Sequence, residues 1–254
     1  QRGGPGLGTI QPSQGDYFQA CKGGGHGDYR LIVLAPASVQ EMHDFVALGF
    51  DLAFKYRNPA MILADGAIGQ MMEKVVLAPQ RPRKTNEEIA AECRDWATYG
   101  KPADRPRNVV TSLELQSEAM EKINLRLQDK YKAMEENEVR YEALACDDAD
   151  YVIVAFGSSA RICSATVEMA RAEGIRLGML RPITLYPFPT RPIAELAARV
   201  KGFLSVELNA GQMVEDVRLA VNGAVPVEHY GRQGGMIYSP DEVLAALKEK
   251  LIKA

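Results

Sequence analysis

Arg2-Gly3-Gly4-Pro5-Gly6-Leu7-Gly8-Thr9 puts a guanidinium at the head of a run with four glycines in seven positions. Arginine presents a flat fork of donors that pairs with a carboxylate or phosphate through two hydrogen bonds. Glycine reaches positive φ and lets the backbone come close to a ligand. The combination suits a loop shaped around a small anion, and equally a plain glycine-rich turn with a solvated arginine; short glycine motifs do not separate the two. Gly157-Ser158-Ser159 is a second place to look, because helix-start amides after a strand attract anions. It lacks the lysine of a phosphate loop, so a tight turn explains it as well. A third is Glu207-Leu208-Asn209-Ala210-Gly211-Gln212-Met213, after an apolar strand, at the sheet edge where α/β proteins place ligands. The plainer reading there is that Asn209 caps a helix opened by Gln212.

The cysteines and histidines promise less. Cys21, Cys93, Cys146 and Cys163 form no C-x-x-C pair, so neither an iron–sulfur cluster nor a structural zinc is expected on this chain. Free thiols are expected instead. His26, His43 and His229 are scattered and read as structural.

The elements that must position these residues follow from apolar pattern and punctuation. Arg30 to Ala35 is a short apolar run, predicted as a buried parallel strand. Ser38 with Glu41 predicts a capping box and a helix that carries Val39, Met42, Phe45, Val46, Gly49, Phe50 and Ala53 inward and stops before Asn58-Pro59. Ala60 to Ala64 predicts a second strand, and Ala67 to Glu73 the start of another helix. Strand, helix, strand in this spacing is a βαβ unit. Pro79 to Pro106 reads as a connection with a short helix near Asn86 to Tyr99. Ser112 to Leu144, with Met120, Ile123, Leu127, Tyr131, Met134 and Tyr141 at helical steps, predicts one amphipathic helix of about 30 residues. It fits a bridge, an arm on a partner, or a helix packed on its own domain.

Beyond Asp147-Asp148-Ala149-Asp150, strands are predicted at Tyr151 to Phe156, Arg176 to Leu180, Gly202 to Glu207 and Pro226 to Tyr230. Helices are predicted at Arg161 to Glu173, Ile193 to Val200, Gln212 to Val221 and from the Ser239-Pro240-Asp241-Glu242 cap to Lys253. This alternation predicts a doubly wound parallel sheet.

The chain has 254 residues, enough for one or two domains with a sizeable core. A net charge of −3 gives no reason to expect nucleic acid or an anionic membrane as partner. No apolar run approaches the ~20 residues of a membrane helix, and no signal peptide is visible. A cytoplasmic location is therefore expected. The sequence begins inside a motif and without Met, so an amino-terminal part is expected to be missing.

Beyond the opening loop come Gln11-Pro12-Ser13-Gln14-Gly15-Asp16-Tyr17, Gly23-Gly24-Gly25-His26-Gly27-Asp28 and Ser38-Val39-Gln40-Glu41. In this order they resemble the alpha subunit of the 2-oxoacid:ferredoxin oxidoreductases, most of all the 3-methyl-2-oxobutanoate (2-ketoisovalerate) type. Many members read Arg-Gly-Gly-Pro-Ser-Thr-Gly at the loop; here Gly6 and Leu7 remove two hydroxyl donors. Arg181-Pro182-Ile183-Thr184-Leu185-Tyr186-Pro187-Phe188-Pro189 and the Glu207 to Gln212 stretch resemble the second domain of the same subunits.

The resemblance implies an α/β protein with part of a thiamine-diphosphate-binding pyrimidine-type domain at 1–80. A linker with a long helix would follow at 81–148 and a transketolase C-terminal-like domain at 149–254. It implies a subunit active only within a complex of beta, gamma and delta-type companions, converting a 2-oxoacid to an acyl-coenzyme A. Ferredoxin would be the electron acceptor. Thiamine diphosphate and magnesium would be held mainly by a companion, iron–sulfur clusters would sit on companions, and coenzyme A would be the co-substrate. Arg2 would bind the substrate carboxylate, with Gly3, Gly4, Thr9 and Gln11 shaping the pocket. The acid that activates the cofactor's aminopyrimidine would lie upstream of Arg2. Two alternatives stay open: the beta subunit of a NAD-linked 2-oxoacid dehydrogenase, and a non-catalytic assembly subunit.

Overall fold

The computed structural model describes residues 1–97, 100, 101 and 103–253. In chain order the elements are α1 (Tyr17–Cys21), β1 (Ile32–Leu34), α2 (Val39–Tyr56), β2 (Ala60–Ile62), a 3-10 turn (Ile68–Gln70), α3 (Asn86–Glu92), α4 (Ser117–Asn137) and β3 (Tyr141–Leu144). Then come β4 (Tyr151–Val154), α5 (Gly157–Ala172), β5 (Leu177–Pro182), β6 (Thr184–Tyr186), α6 (Thr190–Ala197), β7 (Gly202–Glu207), α7 (Met213–Val221), β8 (Val227–Gly231) and α8 (Pro240–Leu247). A π turn, Lys248–Ile252, closes the series. Two compact units are present: Gln1–Val76 with Gln128–Ala254, and Leu77–Leu127.

The first unit holds both sheets. Four strands run parallel in the order β5-β4-β7-β8, and β3 adds antiparallel to β5 at one edge. Helices α5 and α8 cover one face, where Cys163, Val167, Val243 and Leu247 meet Ile153, Leu177 and Leu204. Helices α6 and α7 cover the other, where Ile193, Leu196, Met213 and Val217 meet Val152, Val154 and Phe203. This is the doubly wound arrangement, with an antiparallel edge strand added. In the smaller sheet β1 and β2 run parallel as the predicted βαβ unit, and β6 joins β1 antiparallel. The turn at Ile183 carries the chain from one sheet to the other: its amide donates to Arg140 O, and its carbonyl accepts from Ala35 N.

Several predicted elements differ. The helix expected over Ser112 to Leu144 is α4 followed by strand β3. Pairing with β5 overrides helical periodicity there, and Glu138 is drawn instead onto Lys55 Nζ (2.6 Å) and Tyr56 OH (2.7 Å). Ala67 to Glu73 makes only the 3-10 turn: the Asp65 carboxylate accepts the Ala67 and Ile68 amides at its start, and the backbone is extended at Met71. The helix expected near Asn86 to Tyr99 ends at Glu92; Tyr99 lies outside the described residues.

Residues Gly157 to Ala160 belong to α5 itself rather than to a turn before it. Ser38 caps α2 by accepting the Glu41 amide, but the Glu41 carboxylate turns to Ala37 N and Arg181, so the box is not reciprocal. On α2 only Phe45, Gly49 and Leu52 are buried. Val46 and Phe50 stay exposed, because the sheet covers a stripe narrower than the helix's apolar surface.

Candidate functional site

The opening loop is a closed hairpin. Arg2 and Pro12 form a bridge, Gly3 N donates to Gln11 O (2.9 Å), and Thr9 N donates to Gly3 O (2.8 Å). Gly6 and Gly8 both stand at positive φ, 65° and 54°. The exposed Arg2 folds back over the loop: its Nη1 donates to the Leu7 and Thr9 carbonyls. Among the described residues Nε and Nη2 make no hydrogen bond. Thr9 Oγ1 donates to Gly234 O (3.1 Å), and Gln11 packs against Gly235, so the hairpin rests on that glycine pair. Gly3 is buried there, and a Cβ on it would come within 2.7 Å of Gly234 C. The structure thus brings Arg2, Gly3, Thr9 and Gln11 into one hairpin, with Gly4 beside the tip.

Behind the hairpin lies a buried polar seam along the carboxyl edge of the larger sheet. Glu207, fully buried at the end of β7, accepts five donors. Oε2 takes Asn209 Nδ2 (3.0 Å), Gln212 N (3.1 Å) and Met213 N (2.7 Å). Oε1 takes Ser205 Oγ (3.0 Å) and Val214 N (2.9 Å). Glu207, and not Asn209, therefore caps α7, and its charge matches the positive end of the helix dipole. Asn209 donates instead to Gln14 O (2.8 Å) and accepts the Gly211 amide (2.8 Å). Gln212 clasps the same loop, donating to Gly15 O and accepting Phe18 N.

The start of α5 is filled in the same way. Asp65, 2% exposed, accepts the Ser158 amide (2.8 Å) and the Ser158 hydroxyl. The Ser158 amide at the head of α5 is thereby taken by a carboxylate of the chain itself. Gln14 sits between the two caps with no exposure. Its amide nitrogen donates to Phe156 O (2.8 Å), and its oxygen accepts Ser159 Oγ (2.7 Å) and Leu208 N (3.0 Å). Tyr238 OH donates onto Ser159 in turn, and burial pushes the Tyr238 phenol well above its usual range.

Asp65 and Tyr238 were not singled out from sequence, Gln14 stood out only within the stretch that carries the resemblance, and Ser159 only within the Gly157-Ser158-Ser159 turn. Their partners lie far away along the chain, and only Asp65-Gly66 carries a local turn signal. The four cysteines are buried free thiols; burial raises the pKa of Cys21 and Cys163 far above the ordinary thiol range. Among the described residues no three His, Cys, Asp or Glu side chains converge as a metal site, and no helix is long and apolar enough to cross a membrane.

Residues 1–144 match the profile of the thiamine-diphosphate-binding pyruvate flavodoxin/ferredoxin oxidoreductases, and residues 149–243 that of pyruvate:ferredoxin oxidoreductase core domain II. The chain is 49% identical to the ketoisovalerate oxidoreductase subunit VorB of Methanothermobacter thermautotrophicus, over 98% of this chain and 68% of that protein. It is 36% identical to the 2-oxoglutarate synthase subunit KorA of Methanothermobacter marburgensis, over 96% of this chain and 70% of that one. Its fold matches a 2-oxoglutarate:ferredoxin oxidoreductase from Magnetococcus marinus, solved with 2-oxoglutarate, coenzyme A and succinyl-CoA bound. That match has a TM-score of 0.78 at 22% identity and covers 98% of this chain and 47% of that chain. The chain belongs to the pyruvate flavodoxin/ferredoxin oxidoreductase family of 2-oxoacid oxidoreductase subunits.

Proposed function

We propose that the chain serves in a thiamine-diphosphate-dependent enzyme that oxidatively decarboxylates 2-ketoisovalerate. In that reaction carbon dioxide leaves, the acyl group passes to the thiol of coenzyme A, and two electrons pass to ferredoxin. The observation that carries the substrate is the 49% identity to a ketoisovalerate oxidoreductase subunit, against 36% to a 2-oxoglutarate synthase subunit.

Arg2 is the carboxylate ligand in this reading. Its Nη1 fixes the guanidinium against the hairpin, which leaves Nε and Nη2 to face a carboxylate. Gly3 and Gly4 supply the close backbone, and Thr9 and Gln11 anchor the hairpin on Gly234 and Gly235. Thiamine diphosphate is the group that makes the keto carbon's carboxylate a leaving group. Its phosphate end does not fit the starts of α5 and α7, where Asp65 and Glu207 already stand. A companion subunit holds the diphosphate and magnesium, and companions carry the iron–sulfur clusters and the contact with ferredoxin. The proposed division of the chain is a partial pyrimidine-type domain at 1–80, a linker at 81–148 and a transketolase C-terminal-like domain at 149–254, in the cytoplasm.

The test is the assembled enzyme assayed with 2-ketoisovalerate, pyruvate and 2-oxoglutarate against ferredoxin and NAD. The highest kcat/KM is expected for 2-ketoisovalerate with ferredoxin. NAD reduction would favour the dehydrogenase alternative, and a preference for 2-oxoglutarate would overturn the substrate assignment. Arg2→Ala removes a charge-assisted pair of about 1.5–3 kcal/mol, so KM for every 2-oxoacid is expected to rise roughly 10- to 100-fold. Unchanged kinetics would leave the chain an assembly role.

A further inference from the structure

We infer that Leu7 selects the aliphatic side chain of the 2-oxoacid; the inference rests on the reading of Arg2 as the carboxylate ligand. Leu7 is tied to Arg2 directly, because the Leu7 carbonyl accepts a hydrogen bond from Nη1 of that guanidinium. Its backbone is fixed on both sides by glycines at positive φ, Gly6 at 65° and Gly8 at 54°. Gly8 admits no side chain at all, since a Cβ there would lie 1.8 Å from Gly3 O. The hairpin therefore holds Leu7 at one place beside the guanidinium. The leucine side chain is nevertheless 89% exposed, and Ile10, three residues on, is 80% exposed.

The loop's chemistry is one-sided. Residues 3–8 are Gly, Gly, Pro, Gly, Leu and Gly, so no side chain among them donates a hydrogen bond. The next hydroxyl, on Thr9, is committed to Gly234 O. A second carboxylate on the substrate would find no side-chain partner in this loop and would meet an apolar surface, which penalises a charge. An isopropyl group on the keto carbon lies only two bonds from the carboxylate carbon. It would cover Leu7 while the carboxylate stays on Arg2. Leu7 thus rewards a branched aliphatic acid and disfavours a dicarboxylic one.

The experiment compares the assembled enzyme with its Leu7→Thr, Leu7→Met and Arg2→Ala forms, by kcat/KM for 2-ketoisovalerate and pyruvate, with co-elution of the subunits as a second readout. Leu7→Thr shortens the side chain by one heavy atom and replaces apolar surface with a hydroxyl. It is expected to lower kcat/KM for 2-ketoisovalerate about tenfold or more, the usual worth of a small change in an apolar pocket, while pyruvate changes less than about twofold. Leu7→Met is expected to keep the wild-type ratio. A parallel fall for both acids, an unchanged ratio, or loss of co-elution would overturn the inference, the last showing that Leu7 packs on a companion subunit. Arg2→Ala separates the two levels. If it leaves KM unchanged for both acids, the carboxylate reading itself fails; if it raises KM for both while Leu7→Thr leaves their ratio alone, only the role of Leu7 fails.

Discussion

A carboxylate taken out of water is tolerated only where donors replace its hydration, and Glu207 meets that condition with three helix-start amides, a hydroxyl and an amide side chain. Each oxygen accepts at least two donors, so in Glu207→Gln the amide NH2 must face donors in either orientation. The cost expected is about 2–4 kcal/mol, since a buried group is left unsatisfied. Calorimetry should show a melting point lower by roughly 5–15 °C on the scale for domains of this size; an unchanged melting point would mean the amide finds acceptors elsewhere.

His229 adds a pH dependence to the same place. Its Nε2 is buried without a hydrogen-bond partner among the described residues, 3.9 Å from Glu207 Oε1. Burial lowers its pKa, which Glu207 opposes and Lys250 and Arg218 reinforce. The native imidazole therefore resists protonation more than the unfolded one. As pH falls below about 6.5 the unfolded chain takes up the proton first, so stability drops with falling pH through that value and levels off once the native form titrates. His229→Gln should flatten that part of the stability profile in denaturant titrations between pH 5 and 8; an unaltered slope would remove His229 as its source.

At the scale of elements, the start of α5 shows how a helix end is made by a residue distant in sequence. Gly157 stands at φ 56°, and a Cβ there would lie 2.7 Å from Asp65 Oδ2 and 3.0 Å from Gln14 Nε2. Gly157→Ala should cost about 1–2 kcal/mol for the left-handed backbone alone, with the Asp65 clash added. A melting point within a degree of wild type would show that the cap can shift. Elements with local signals were legible in the sequence. Strand Gly202–Glu207 is an apolar run opened by a glycine, and its observed bounds match the predicted ones. The Ser239/Glu242 capping box forms in both directions with Pro240 at the first turn. Elements fixed by distant partners were not legible. β6 exists because β1 offers it an edge, and β3 because β5 does. The candidate site divides the same way: the glycines mark the hairpin, but Asp65, Gln14 and Ser159 look like ordinary turn and loop residues until the fold joins them.

In the molecule as a whole, the two family-matched regions do not have separate cores. Tyr17, Val33 and Ala35 from the first region pack in one cluster with Val152, Phe156, Leu185 and Phe203 from the second. β6 completes the sheet of β1, and Gln14 N donates to Leu208 O in the seam. Residues 77–127 form a unit of another kind. Among its described residues the regular structure is α3 and the opening turns of α4, and Val109, Val110, Leu113 and Leu115 are each 69–81% exposed. Segments with few buried apolar groups open at low free-energy cost and are cut first. Brief trypsin treatment of the chain is therefore expected to cleave at the exposed Arg83, Lys84 or Arg107 well before any site in 149–253. The amino- and carboxy-terminal pieces should then remain together on size exclusion, because the shared core and the seam stay intact when the connection is lost. Separation of the pieces under native buffer, or first cleavage within β4 to α8, would show that the contacts joining the two regions contribute less than their burial implies.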